Sequence, residues 1–185
     1  MIVTLGGRAG AGKTSVGKAL ADRLGFDFYS MGDIRRKYAI SHGMTIAELN
    51  RQAESDPASD RLVDDYQKKM ARTEDNFVID SRLGFYFIPK SAKVFLLADD
   101  YVRAKRTFEK SRPEERPANI EDALKLLDER EDSDALRYHR LYGVHPFDLK
   151  RFDIWVDTSA RSVEQTTGLI YHYVKNSLVM RLNRI

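Results

Sequence analysis

The stretch Gly7-Arg8-Ala9-Gly10-Ala11-Gly12-Lys13-Thr14, followed by Ser15, fits the pattern G-x-x-x-x-G-K-[ST]. Each residue type in it has a physical reason. Glycines permit positive φ and close approach, so successive backbone N–H groups can turn inward around a phosphate. The lysine reaches the terminal phosphates of a triphosphate, and the threonine hydroxyl ligates Mg²⁺. Ile2 to Leu5 before the loop is a short apolar run, and Val16, Ala19, Leu20 and Leu24 after it mark one buried helical stripe. A strand thus delivers the loop, and a helix N-terminus points at the phosphate. Gly7, Arg8, Ala9, Gly10, Ala11, Gly12, Lys13, Thr14 and Ser15 are therefore the expected triphosphate site.

Two further stretches carry charge where chemistry could use it. "FVIDSRLG" places Asp80 at the carboxyl end of an apolar run, where one carboxylate can hold Mg²⁺ directly or through water, with Arg82 two residues on as an anion ligand. "YSMGDIRR" places Arg35 and Arg36 early in a helix, where a guanidinium can clamp a phosphate through two bonds. His42, His139, His145 and His172 lack metal-ligand spacing, and Ser30 lacks partners for nucleophilic work. Tyr138, Tyr142, Phe147 and Trp155 sit at spacings that favour core packing over base stacking.

These residues need a scaffold that collects them at one edge. Strands are expected at Ile2 to Leu5, Phe26 to Tyr29, Phe77 to Asp80, Lys93 to Leu97 and Asp153 to Asp157. They are mostly apolar runs rather than alternations, which suits a parallel sheet covered on both faces. Helices are expected at Lys13 to Leu24, Asp33 to Ser41, Ser59 to Arg72 and Asp100 to Lys110, with others opened by Thr45 and Glu48, by Asn119, and by Ser162 and Gln165. Such alternation predicts a three-layer α/β fold around a five-stranded parallel sheet, with ligands beyond the carboxyl ends of the strands.

At 185 residues a single domain is expected, with a core over 1–40, 76–110 and 146–176. Residues 41–75 and 111–145 hold more helix than a simple crossover needs, and Ser111 to Pro117 reads as an exposed hinge-like loop. In phosphoryl transfer such segments keep water from the reacting phosphate. The chain contains no cysteine, which excludes disulfides and thiolate metal sites and fits a cytoplasmic setting. No apolar stretch approaches bilayer-spanning length, so no membrane partner is expected. The net charge of +3 and pI of about 9.0 raise the question of an anionic partner, and position decides it.

Taken together, "GGRAGAGKTS", "SMGDIRR", "VIDSRLG", "ADDYVRAKR", "DEREDSDALRY" with "YGVHPFD", and "DIWVDTS" resemble the nucleoside monophosphate kinases, most closely cytidylate kinases of the archaeal type. The resemblance implies a P-loop core with an acceptor-binding segment (41–75) and an arginine-bearing lid (111–145). It implies acceptor binding by Asp33 and Arg36 of the S-x-G-D-x-x-R stretch and by Arg82, and an ATP-binding Arg106 near the base. It also implies catalytic Arg130 and Arg137 beside Lys13, in "REDSDALR", where Glu131 replaces an Asp. Leu83 stands where bacterial cytidylate kinases carry a sugar-contacting Asp, and Asp80-Ser81 stands where close relatives often have Glu-Gly.

The expected activity is transfer from ATP, with Mg²⁺, to a nucleoside monophosphate, CMP or dCMP first. A P-loop kinase of AMP, UMP or a hydroxylated metabolite is the alternative, since such enzymes share the core and differ in the acceptor segment. A regulatory GTPase would need N-K-x-D after a late strand, and the sequence has none. Arginines at crevice positions rather than in a basic arm argue against a nucleic-acid partner. Small-molecule nucleotides and a monomer are expected. Arg130, Asp134 and Arg137 share one helical face, so Asp134 is expected to hold both arginines toward the phosphates.

Overall fold

The computed structural model describes residues 1–110 and 117–182; all but the last residue of the expected hinge-like loop over 111–117, and residues 183–185, lie outside the described residues. Five strands form one parallel sheet: β1 Ile2–Gly7, β2 Asp27–Ser30, β3 Phe77–Asp80, β4 Ala92–Leu97 and β5 Ile154–Asp157, in the order β2-β3-β1-β4-β5. The fold is the expected three-layer α/β architecture. Leu5 pairs with Asp80, and Asp80 with Ser30, so these three end in one line at the carboxyl edge.

Helices cover both faces. On one face α1 (Lys13–Leu24) and α8 (Val163–Leu182) bury Val16, Leu20, Ile170 and Val174 against Val3, Leu5, Val94 and Leu96. Each such side chain contributes about 1.5–3 kcal/mol of transfer free energy. The other face carries α2 (Met31–Ser41), α3 (Ile46–Ala53), α4 (Ala58–Thr73), the short α5 (Gly84–Phe87), α6 (Asp100–Glu109) and α7 (Ile120–Tyr142). Phe77, Ile79 and Met70 pack there with Met31, and Phe85, Phe95 and Phe152 pack with Tyr138.

The capping chemistry is as the sequence predicts. Thr45 and Glu48 form a reciprocal capping box on α3, Asn119 accepts from the Asp122 amide, and Ser162 and Gln165 exchange bonds at the start of α8. Boundaries differ by one or two residues where strand pairing or a local cap extends an element. β1 runs on through Gly6 and Gly7 because they pair with Phe95 and Leu96. α2 begins at Met31 because the Ser30 hydroxyl caps the Asp33 amide. Trp155 corrects the expectation of core packing. It lies on the edge strand, 57% exposed, and its indole N–H donates to the Leu149 carbonyl. Among the described residues no helix is long and apolar enough to cross a membrane.

Candidate active site

The phosphate loop is shaped by its glycines. Gly10 and Gly12 have φ of 79° and 88°, and a Cβ on Gly10 would stand 2.7 Å from the Arg103 carbonyl oxygen. Gly12 caps α1 without any side-chain bond to the first turn, so no capping side chain competes for its N–H groups. Lys13 Nζ donates to the Arg8 carbonyl at 2.9 Å, and the Thr14 hydroxyl donates to Asp80 Oδ2 at 2.8 Å. Burial and the Arg82 charge lower the Lys13 pKa to about 7, with Arg130 adding to the effect and Asp80 opposing it.

A single cleft runs from Gly10, Lys13 and Thr14 across Asp80 and Arg82 to α2 and α4. Arg36 bonds Asp33 Oδ1 at 2.9 Å, and Arg35 is paired with Asp60 and with Asn50 Oδ1 at 3.2 Å. Arg35 Nη2 and Arg36 Nε are nonetheless buried without a partner, and both residues line the cleft. Buried guanidinium nitrogens with nothing to bond are costly unless an anion reaches them.

From Arg35 a buried ladder of alternating charge crosses the protein. Asp60 on α4 takes Arg35 on one oxygen and Arg137 Nε on the other, the latter at 2.8 Å. Arg137 Nη2 bonds Asp134 Oδ1 at 2.7 Å, Arg82 Nε bonds Asp134 Oδ2 at 2.8 Å, and Arg82 Nη1 ends the run on the Gly7 carbonyl at 2.7 Å. Burial works against the Asp134 charge, but Arg82, Arg137 and Arg130 together hold its pKa below the usual range. Burial likewise opposes the Arg82 charge, which Asp134 and its neighbours hold above the ordinary arginine value.

Arg137, which the resemblance makes catalytic, is a rung of this ladder. Each nitrogen of its guanidinium has a partner inside the protein, its side chain is 1% exposed, and it is absent from the cleft wall, whereas Arg130 lines the cleft. Asp134 holds Arg137 and Arg82, and Arg130 enters its surroundings through charge.

A second buried cluster joins α7 to the phosphate loop. Glu131 Oε1 accepts from the Ala9 amide at 2.9 Å and from Arg103 Nη2 at 2.6 Å, while Oε2 accepts from Arg8 Nε at 2.7 Å. Arg103 also donates from Nε to the Ala9 carbonyl at 2.8 Å. Arg106 is held by Thr158, at 3.0 Å to the hydroxyl and 2.6 Å to the carbonyl, and Thr158 in turn donates to the Ala11 carbonyl at 3.0 Å. Sequence reasoning missed Asp60 and Arg103 altogether. The available signal was polar residues at core spacing, as in Asp60, Val63, Asp64 and Gln67 along α4.

A parallel sheet of this order, carrying a glycine loop and lysine at a helix N-terminus, a carboxylate on the adjoining strand and arginines across the cleft, defines a P-loop phosphotransferase. Comparison with known proteins narrows the class. The cytidylate kinase-like family matches residues 2–160. Cytidylate kinase from Thermoplasma volcanium is 35% identical over 178 residues, covering 94% of this chain and 91% of the relative. Cytidylate kinase from Methanococcoides burtonii is 35% identical over 159 residues, covering 86% and 88%. Shikimate kinase from Bacteroides thetaiotaomicron shares the fold, with a TM-score of 0.65 at 18% identity over 95% of this chain and 98% of that one. The chain belongs to the cytidylate kinase-like family and is a nucleoside monophosphate kinase.

Proposed function

We propose that the protein transfers the γ-phosphoryl group of ATP to CMP or dCMP. The observation that carries this reading is the cleft, which has the phosphate loop and Lys13 at one end and the unpartnered Arg35 and Arg36 nitrogens at the other. Two phosphorylated ligands can meet end to end between them. The named cytidylate kinases among its relatives support cytosine as the base.

On this reading the loop from Gly7 to Ser15 and Lys13 hold the ATP phosphates, and Arg106 lies toward the ATP base. Arg36, kept in place by Asp33, binds the acceptor phosphate with Arg82. Residues 41–75 wall the acceptor end, and α7 within 111–145 supplies Arg130 at the transferring group. Arg137 acts at one remove as a positioning residue, since it fixes the carboxylate that aims Arg82. The acceptor phosphate is already anionic, so no general base is required, and catalysis is alignment plus charge stabilisation.

The oxygen pair of Thr14 and Asp80, 2.8 Å apart, fits Mg²⁺. A hard cation that keeps several waters needs only one or two protein oxygens beside the phosphates. Bound there, Mg²⁺ supplies charge neutralisation of the phosphates. Asp80→Asn is expected to raise the Mg²⁺ concentration for half-maximal rate about tenfold or more, because a neutral amide is a poorer partner for the cation or its waters. An unchanged magnesium titration removes Asp80 from the site.

A coupled assay with ATP against a panel of nucleoside monophosphates and hydroxylated metabolites tests the proposal. CMP or dCMP is expected to give the highest kcat/KM; a non-nucleotide acceptor at the top of the panel overturns it.

A further inference from the structure

The charge ladder and the phosphate loop leave part of the cleft without a task. Asp64 and Gln67 of α4 line the acceptor end, 3% and 2% exposed, one and two turns beyond Asp60. Buried polar groups at positions where a helix ordinarily carries apolar ones call for a purpose.

A relay of donors fixes how they are presented. The Leu83 amide donates to Ser81 Oγ at 3.2 Å, and Ser81 Oγ in turn donates to Gln67 Oε1. With its oxygen thus engaged, Gln67 turns its nitrogen to Asp64, donating from Nε2 to Oδ1 at 3.2 Å. The Tyr142 hydroxyl donates to the other Asp64 oxygen at 2.6 Å. All these bonds run toward Asp64, which makes it an acceptor. Gln67 keeps a second amide N–H beyond the one given to Asp64, and two carboxylate oxygens have about four acceptor positions, of which two are used.

The pair therefore offers an acceptor beside a donor. Cytosine offers the complement on its pairing edge, the N4 amino donor beside the N3 acceptor, whereas uracil offers O4 as acceptor beside an N3 donor. Resting on the assignment of this cleft to a nucleoside monophosphate, we propose that Asp64 and Gln67 read the acceptor base, with Asp64 accepting from the 4-amino group of a cytosine and Gln67 donating to N3. Ser81 and Tyr142 are positioning residues for that pair. Burial raises the Asp64 pKa to about 6, with Asp60 adding and Tyr142, Lys68 and Arg35 opposing, so above that pH the group is an ionised acceptor.

The test is the ratio of kcat/KM for CMP over UMP in the whole protein, its Asp64→Asn variant and its Gln67→Glu variant. Asp64→Asn is isosteric and places a donor where the amino group must donate; Gln67→Glu removes the donor to N3 while still accepting from Ser81. Each is expected to lower the CMP over UMP ratio about tenfold or more, the size of a mispaired buried hydrogen bond. Gln67→Glu decides the matter should Asp64→Asn fold poorly. Variants that phosphorylate both nucleotides at the parental ratio overturn the base-reading assignment and leave the kinase reading standing. A parental protein that phosphorylates neither nucleotide overturns the proposed CMP-kinase reading itself.

Discussion

Lys13→Ala is expected to lower kcat by about 10³-fold while the protein keeps its fold. Lys13 stands at the start of α1 on the cleft wall, and on the proposed reading its ammonium is the charge that follows a phosphoryl group from donor to acceptor. Removing it deletes an interaction that strengthens as negative charge spreads over the transferring oxygens. Stability responds in the opposite sense. The folded-state pKa of about 7 lies below the ordinary lysine value of 10.5, so burying the charged form disfavours folding. That cost is fully present below about pH 7 and fades as pH rises toward 10.5, because the folded state gives up its proton first. The variant is therefore expected to melt at or above the parental temperature at pH 6.5, with the gap narrower at pH 9. Paired steady-state rates and thermal melts at the two pH values measure both effects. Parental turnover in the purified variant would remove Lys13 from the reaction.

Arg137→Ala is expected to destabilise the fold by about 3–5 kcal/mol, since it leaves two buried carboxylates without their shared partner. Arg137 is 1% exposed and bonded to Asp60 at 2.8 Å and Asp134 at 2.7 Å, two acids that are themselves almost wholly buried. For a domain of this size the melting temperature should fall by roughly 10 °C. Arg130→Ala is the contrasting case. Arg130 is half-buried on the cleft wall, and its loss is expected to lower kcat about 10²-fold while the melting temperature moves little. The two arginines lie on one helical face of α7, yet differential scanning calorimetry and rate measurements should separate them. A stable Arg137→Ala protein with severely reduced turnover would return Arg137 to the reacting phosphates.

The scaffold was legible wherever the signal was local. The apolar runs at Phe77 to Asp80 and the stripe of Lys13 to Leu24 match the observed β3 and α1 end to end. The caps at Thr45, Asn119 and Ser162 were equally plain, because a short side chain bonding an amide two or three residues away is written in adjacent positions. The short α5 carries too few residues for a period to show. The two buried clusters were illegible for another reason: in the ladder Arg137 and Asp60 meet across 77 residues, and in the second cluster Glu131 reaches the Ala9 amide across 122. Spacing on α7 placed Arg130, Asp134 and Arg137 together correctly, but not the direction each faces, which α4 and the loop after β3 decide. Trp155 looked like a core residue because an edge strand and a central strand share the same apolar composition.

The ladder sets three arginines, Arg35, Arg137 and Arg82, against two carboxylates, Asp60 and Asp134, all of them largely shielded from solvent. Part of the chain's basic character is therefore held inside the protein rather than displayed to macromolecules outside. Stripping water from those cations is done when the chain folds, not when a phosphate arrives. On the proposed reading, a phosphate reaching Arg35 or Arg82 meets charges that are already dry and aimed, so little reorganisation remains for the encounter. The trade-off is borne by the resting protein: a well-packed apolar substitute for the same ladder is expected to give a sturdier fold with no means of gripping its substrate.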